Sequence, residues 1–141
     1  MLLRYTANGK LDPSFGVRGI AAVSQGLQGL VLQQDGKFVV AGSVDSSSGR
    51  RDSRDFAVSR YSPLGGLDPS FGRGGKTVTD LGAGAIANAI VVQANGKIVA
   101  AGTRNSSDFA LVRYLTSGKL DGSFGRGGRV FTDFGSVWAR R

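Results

Sequence analysis

A sixteen-residue block occurs three times: RYTANGKLDPSFGVRG at 4–19, RYSPLGGLDPSFGRGG at 60–75 and RYLTSGKLDGSFGRGG at 113–128. All three fit R-Y-x-x-x-G-x-L-D-x-S-F-G-x-x-G without a gap, at offsets of 56 and 53 residues. A second pair, QQDGKFVVAG (33–42) and QANGKIVAAG (93–102), repeats at an offset of 60. The offsets differ because one intervening loop is four residues shorter in the first unit and another is seven residues longer. Blocks of fixed length separated by loops of variable length mark a repeat architecture, and this excludes most other folds for a chain of 141 residues.

Each unit carries four strand-like runs. They lie at 19–24, 27–33, 37–43 and 55–61 in the first unit, and at 76–80, 87–93, 97–103 and 108–114 in the second. The middle runs are joined by QDG and ANG, where glycine can take a positive φ in a tight hairpin. Runs such as AIVVQ and KIVAAG are apolar or small on both faces, as strands sandwiched between neighbouring sheets should be. All ten acidic residues are aspartates and 23 residues are glycine, a composition that favours turns over helices. The expected fold is therefore all-β, built of β-propeller-type blades of four antiparallel strands. It holds two complete blades plus flanking strands and is not a closed ring on its own, because rings need at least about four blades. Residues 1–18 would be the last strand and connector of a preceding blade, 19–61 the first complete blade and 62–75 a connector. Residues 76–114 would be the second complete blade, and 115–141 a connector, the first strand of an incomplete blade and a tail. No capping unit is evident, so the chain is expected either to belong to a longer array or to pair its open faces with other copies.

The same blocks resemble the delta-60 repeat family of bacterial proteins, a tandem-repeat β-propeller-like domain of unknown function. The resemblance covers residues 1 to about 135. It implies large, often secreted or cell-surface proteins, and it brings no catalytic residues.

Chemistry is scarce. Without His or Cys, disulfides, Cys-zinc sites and the commonest general base are excluded. No apolar run approaches the roughly 20 residues of a membrane helix, and the N-terminus shows no signal peptide. Asp12, Asp68 and Asp121, with Ser14, Ser70 and Ser123, have the oxygen chemistry that calcium prefers, but one carboxylate per block argues for turn-forming hydrogen bonds instead. Phe15, Phe71 and Phe124 read as plugs between blades, packed beside Leu11, Leu67 and Leu120. Arg4, Arg60 and Arg113 read as partners of an aspartate, either the block's own or Asp55 and Asp108. Asp80 and Asp133 lack a supporting third group for hydrolysis, and GRGG at 72–75 and 125–128 lacks the Lys-Ser/Thr of a phosphate loop.

The net charge of +8 permits a polyanion, and the Ser-rich insertion 43–54 holds the dense cluster Arg50, Arg51 and Arg54. The reading is a non-catalytic repeat segment acting as scaffold or interaction surface, with no cofactor and no metal. Its partners would be other repeats, copies of itself, protein or acidic polysaccharide; nucleic acid is disfavoured because stacking aromatics are missing. The alternatives are a polysaccharide-active or hydrolytic propeller enzyme, and a polyanion or nucleic-acid binder acting through the 43–54 loop.

Overall fold

The computed structural model describes residues 1–46, 53–82, 84–105 and 107–134, and forms ten strands among them. A two-stranded sheet pairs β1 (Leu2–Leu3) with β2 (Ile20–Ala21). A first four-stranded sheet follows in chain order: β3 (Gly26–Leu32), β4 (Phe38–Asp45), β5 (Arg54–Tyr61) and β6 (Lys76–Thr79). A second repeats it with β7 (Ile86–Val92), β8 (Ile98–Arg104), β9 (Asp108–Tyr114) and β10 (Arg129–Thr132). Every pairing is antiparallel, and the sheets do not close on one another.

The strands lie close to where the sequence places them, but they are grouped differently. The run at 76–80 does not open the second blade; β6 pairs with β5, Val58 opposite Thr77, and closes the first. Likewise β10 pairs with β9 and completes the second blade, so it begins no third one. The complete blades therefore span residues 26–79 and 86–132, in place of 19–61 and 76–114, and the incomplete unit is the β1–β2 pair alone. The repeated block runs from the end of the third strand to the start of the fourth within one sheet, so it is not a connector between blades. A periodic sequence can be divided at any phase, and only hydrogen-bond pairing chooses the division.

Local geometry follows from the repeated glycines. The β3–β4 hairpin turns at Gln33–Gly36, with Gly36 at φ +85° and the Asp35 carboxylate accepting from the Lys37 N–H at 3.0 Å. The β7–β8 hairpin is its copy, with Asn95 in place of Asp35. The first strand of each blade, β3 and β7, carries a bulge, between Leu27 and Gly29 and between Ala87 and Ala89. Opposite each bulge sits a glycine, Gly42 or Gly102. A Cβ there would lie 1.5 or 1.9 Å from a carbonyl oxygen of the bulged strand, so no larger residue fits.

The blades pack through one face each. Val39, Ala41, Phe56 and Val58 of the first sheet meet Ala87, Ile98, Ala100, Ala110, Val112 and Tyr114 of the second, around Phe71. The other face of the first sheet is covered by the incomplete unit: Phe15 and Ala21 pack on Phe38, Val40 and Tyr61, with Phe38 and Tyr61 stacked at 5.3 Å. Burial on both faces, expected from the apolar runs, thus holds for β4 and β5. In β8 it alternates, because the outward face of the second sheet has no neighbour among the described residues.

Phe71 is fully buried in the inter-blade core, whereas Phe124 is half-buried. Phe71→Ala is expected to cost about 3–5 kcal/mol of unfolding free energy in a urea titration, and Phe124→Ala clearly less. Equal losses would contradict the inter-blade role of Phe71.

Candidate functional site: a repeated arginine–aspartate–serine clasp

Within each block the peptide chain folds the same way. The N–H of the aspartate donates back to the carbonyl of the block's first arginine at 2.9 Å in all three copies, and the phenylalanine N–H donates to the aspartate carbonyl. This aims the aspartate side chain inward. In the middle copy the Asp68 carboxylate accepts from the Ser70 hydroxyl at 2.6 Å, the Ser70 N–H at 3.0 Å and Arg60 Nε at 2.7 Å. Arg60 Nη2 reaches the Ser70 oxygen, and its guanidinium lies over the Phe71 ring at 4.8 Å. Arg4, Asp12, Ser14 and Phe15 repeat the set, as do Arg113, Asp121, Ser123 and Phe124.

A lysine completes the clasp. Lys37 Nζ lies 3.0 Å from Asp68 Oδ2, and Lys97 Nζ lies 2.8 Å from Asp121 Oδ2. Sequence reasoning missed these two, although the repeated Gly-Lys of the hairpin carried the signal. Each lysine precedes the second strand of the blade that contains its aspartate, so the contact staples the first hairpin to the block. Asp12 lacks such a lysine among the described residues.

These donors set the charge state. The Ser70 hydroxyl, then Lys37, the Ser70 N–H and Arg60, hold the Asp68 carboxyl well below the usual range, against its burial. Lys97 and Ser123 lead the same effect at Asp121, and Ser14 at Asp12. Four donors surround each of the buried Asp68 and Asp121 carboxylates, one for each lone-pair site of the two oxygens, and leave none directed at a ligand. Asp108 pairs with Arg104 at 3.6 Å instead of with a block arginine. Asp55, its counterpart in the first blade, is buried opposite Val44; burial raises its pKa, the Ser46 hydroxyl opposes this, and the charge of Asp80 adds to it.

The other sequence candidates are dispersed. Arg54 heads β5 and is exposed, while Arg50 and Arg51 lie outside the described residues, as does Trp138. Among the described residues no three acidic side chains converge as a metal site would require. The surface grooves are open, and one of them, between the second block and the third turn, is lined by Arg73, Lys76 and Lys119. No helix among the described residues is long and apolar enough to cross a membrane.

Residues 2–15, 33–71 and 93–124 match the family model described as a domain of unknown function (DUF5122) beta-propeller, over more than half of the chain. The chain belongs to this family. The matched segments of this DUF5122 propeller chain stop at Phe15, Phe71 and Phe124, the last residues of the clasp. They therefore take in the arginine, aspartate and serine of all three clasps, together with Lys37 and Lys97. No curated protein matches the chain.

Because the folded pKa of Asp68 lies below its unfolded value of about 3.9, its stabilisation is complete above that value and is lost as pH falls. Stability should thus decline from about pH 5 downward, and Asp68→Asn should be less stable near neutrality but flatter in acid. Asp55 has the opposite sign, since its raised pKa makes ionisation cost stability as pH rises. Asp55→Asn should leave the melting temperature near pH 7 unchanged or higher. Urea titrations at a series of pH values check the first, and thermal melts near pH 7 check the second.

Proposed function

We propose that this chain is a non-catalytic blade segment that serves as scaffold and interaction surface, in a larger secreted or cell-surface array of delta-60-type repeats or through self-association. One observation carries the reading. In every copy the aspartate, serine and arginine are bonded to one another, a hairpin lysine joins them in the second and third, and Arg4 and Arg60 also reach the next blade. Residues present in each repeat and satisfied inside it support geometry better than catalysis. The family resemblance supports export, and the lack of His, Cys and Glu leaves few groups for acid–base work.

The hydrolytic alternative has one observation in its favour, the buried Asp55 with its raised pKa near Asp80. Among the described residues no enclosed groove adjoins it: the neighbouring surface at Val23–Gly26, Ser43–Asp45 and Arg54 is an open depression. Incubation with neutral and acidic polysaccharides and with chromogenic glycosides is expected to give no turnover above the buffer blank. Turnover abolished by Asp55→Asn or Asp80→Asn, in variants that still melt cooperatively, would overturn the scaffold reading. Polyanion binding is separated by heparin chromatography. Salt-dependent retention lost on replacing Arg50, Arg51 and Arg54 would assign it to the loop, and retention lost on replacing Lys76 and Lys119 would assign it to the groove.

A further inference from the structure

Successive units are joined twice in this chain by the same three contacts. At the first joint Arg4 Nη1 donates to the Pro63 carbonyl, the Gly16 N–H donates to the Leu64 carbonyl at 2.7 Å, and the Phe15 ring rests on Gly65. At the second, Arg60 Nη1 donates to the Thr116 carbonyl at 2.7 Å, the Gly72 N–H to the Ser117 carbonyl at 2.8 Å, and Phe71 rests on Gly118. The fit is close: a Cβ on Gly65 or Gly118 would come within 3.1 or 2.9 Å of the phenylalanine ring. In both joints one block supplies the arginine, the N–H and the ring. The turn of the following block supplies two carbonyls and a glycine.

Among the described residues the series is unsatisfied at both ends, and the two ends are complementary. Among the described residues Arg113 Nη1 and the Gly125 N–H have no acceptor, although Arg113 keeps its bonds to Asp121 and Ser123. Around them Phe124 is half-buried and Phe109 is 38% exposed, where its copy Phe56 is fully buried. At the other end the carbonyls of Ala7 and Asn8, in the places of Pro63 and Leu64, accept no hydrogen bond among the described residues. A Cβ on Gly9 would meet no atom within 4 Å, and Tyr5 is 56% exposed where Tyr61 and Tyr114 are buried. The 6–9 turn already has the shape of the two occupied turns: the Gly9 N–H donates to the Thr6 carbonyl at 2.9 Å, with φ +81°. No rearrangement is needed before it can accept a block.

We propose that the chain associates head to tail with a second copy, the turn at Thr6–Gly9 of one copy seating on Arg113, Phe124 and Gly125 of the other. This deepens the scaffold reading and rests on it. The contact is heterologous, because donors and acceptors lie on opposite ends, so copies add in one direction and close into a ring only if the rotation permits. The occupant is a second copy because its turn offers the same carbonyl pair and bare glycine that the two internal joints use.

Sedimentation velocity across a concentration series tests this with end-blocked variants. Gly9→Asn keeps a residue tolerant of positive φ but places a side chain where the ring must sit, and Phe109→Lys charges the opposite face. The unmodified chain should form species of at least twice the monomer mass, each variant alone should stay monomeric, and their equimolar mixture should give a heterodimer. An unmodified chain that is monomeric throughout and melts cooperatively overturns the inference and leaves the blade reading intact. Pairing of like ends is recognised by Gly9→Asn still dimerising and by no heterodimer in the mixture, and it also overturns the inference. Tyr5→Lys and Val91→Lys, at residues exposed in the single chain, replace the first pair if either of those loses its β-sheet spectrum. Absence of that spectrum in the unmodified chain would instead be a failure of the blade reading itself.

Discussion

The carboxylate of Asp68, with its copies Asp12 and Asp121, organises the rest of the structure. A buried carboxylate is costly unless charged donors surround it, and here they come from parts of the blade distant in sequence. Arg60 reaches Asp68 from the end of the third strand, Lys37 from the hairpin between the first two, and Ser70 from two residues along. Satisfying one anion therefore fixes the hairpin, the third strand and the turn into the fourth strand relative to one another. The same arginine lies over the phenylalanine ring and spends its remaining nitrogen on the next unit. Fold within a blade and contact between blades are thus coupled through a single side chain.

That coupling gives the array a direction. Each block donates forward and each turn accepts from behind, so the two ends of any run of blades differ in chemistry. The middle copy, flanked on both sides, is the most enclosed: the Arg60 side chain is 9% exposed, against 35% for Arg4 and 21% for Arg113. The apolar faces follow the same gradient. Among the described residues the first sheet is covered on both sides, and the second on one.

Much of this was legible before any coordinates. Threefold recurrence of Arg, Asp, Ser and Phe at fixed spacing identified the group that holds the unit together, and the placing of the strands followed from β-branched runs bounded by Gly and Asp. The assignment of Arg60 to the block's own aspartate stayed open, since Asp55 was an equal candidate by sequence. The geometry excludes it: Asp55 faces Val44 across the sheet. Lys37 was overlooked because its aspartate lies about thirty residues away in the chain, and only the folded hairpin brings the two together.

The sequence by itself determined the period of the structure, its all-β character and the residues that recur in each unit, because these follow from local turn chemistry and from repetition. Tertiary structure alone decided the phase. Whether the strand at 76–79 closes one blade or opens the next depends on which neighbour takes its backbone hydrogen bonds, and both choices have the same sequence pattern. It also decided which copies of a repeated residue are enclosed. Phe56 and Phe109 are the same residue in the same repeat position, yet only Phe56 has a second sheet packed against it.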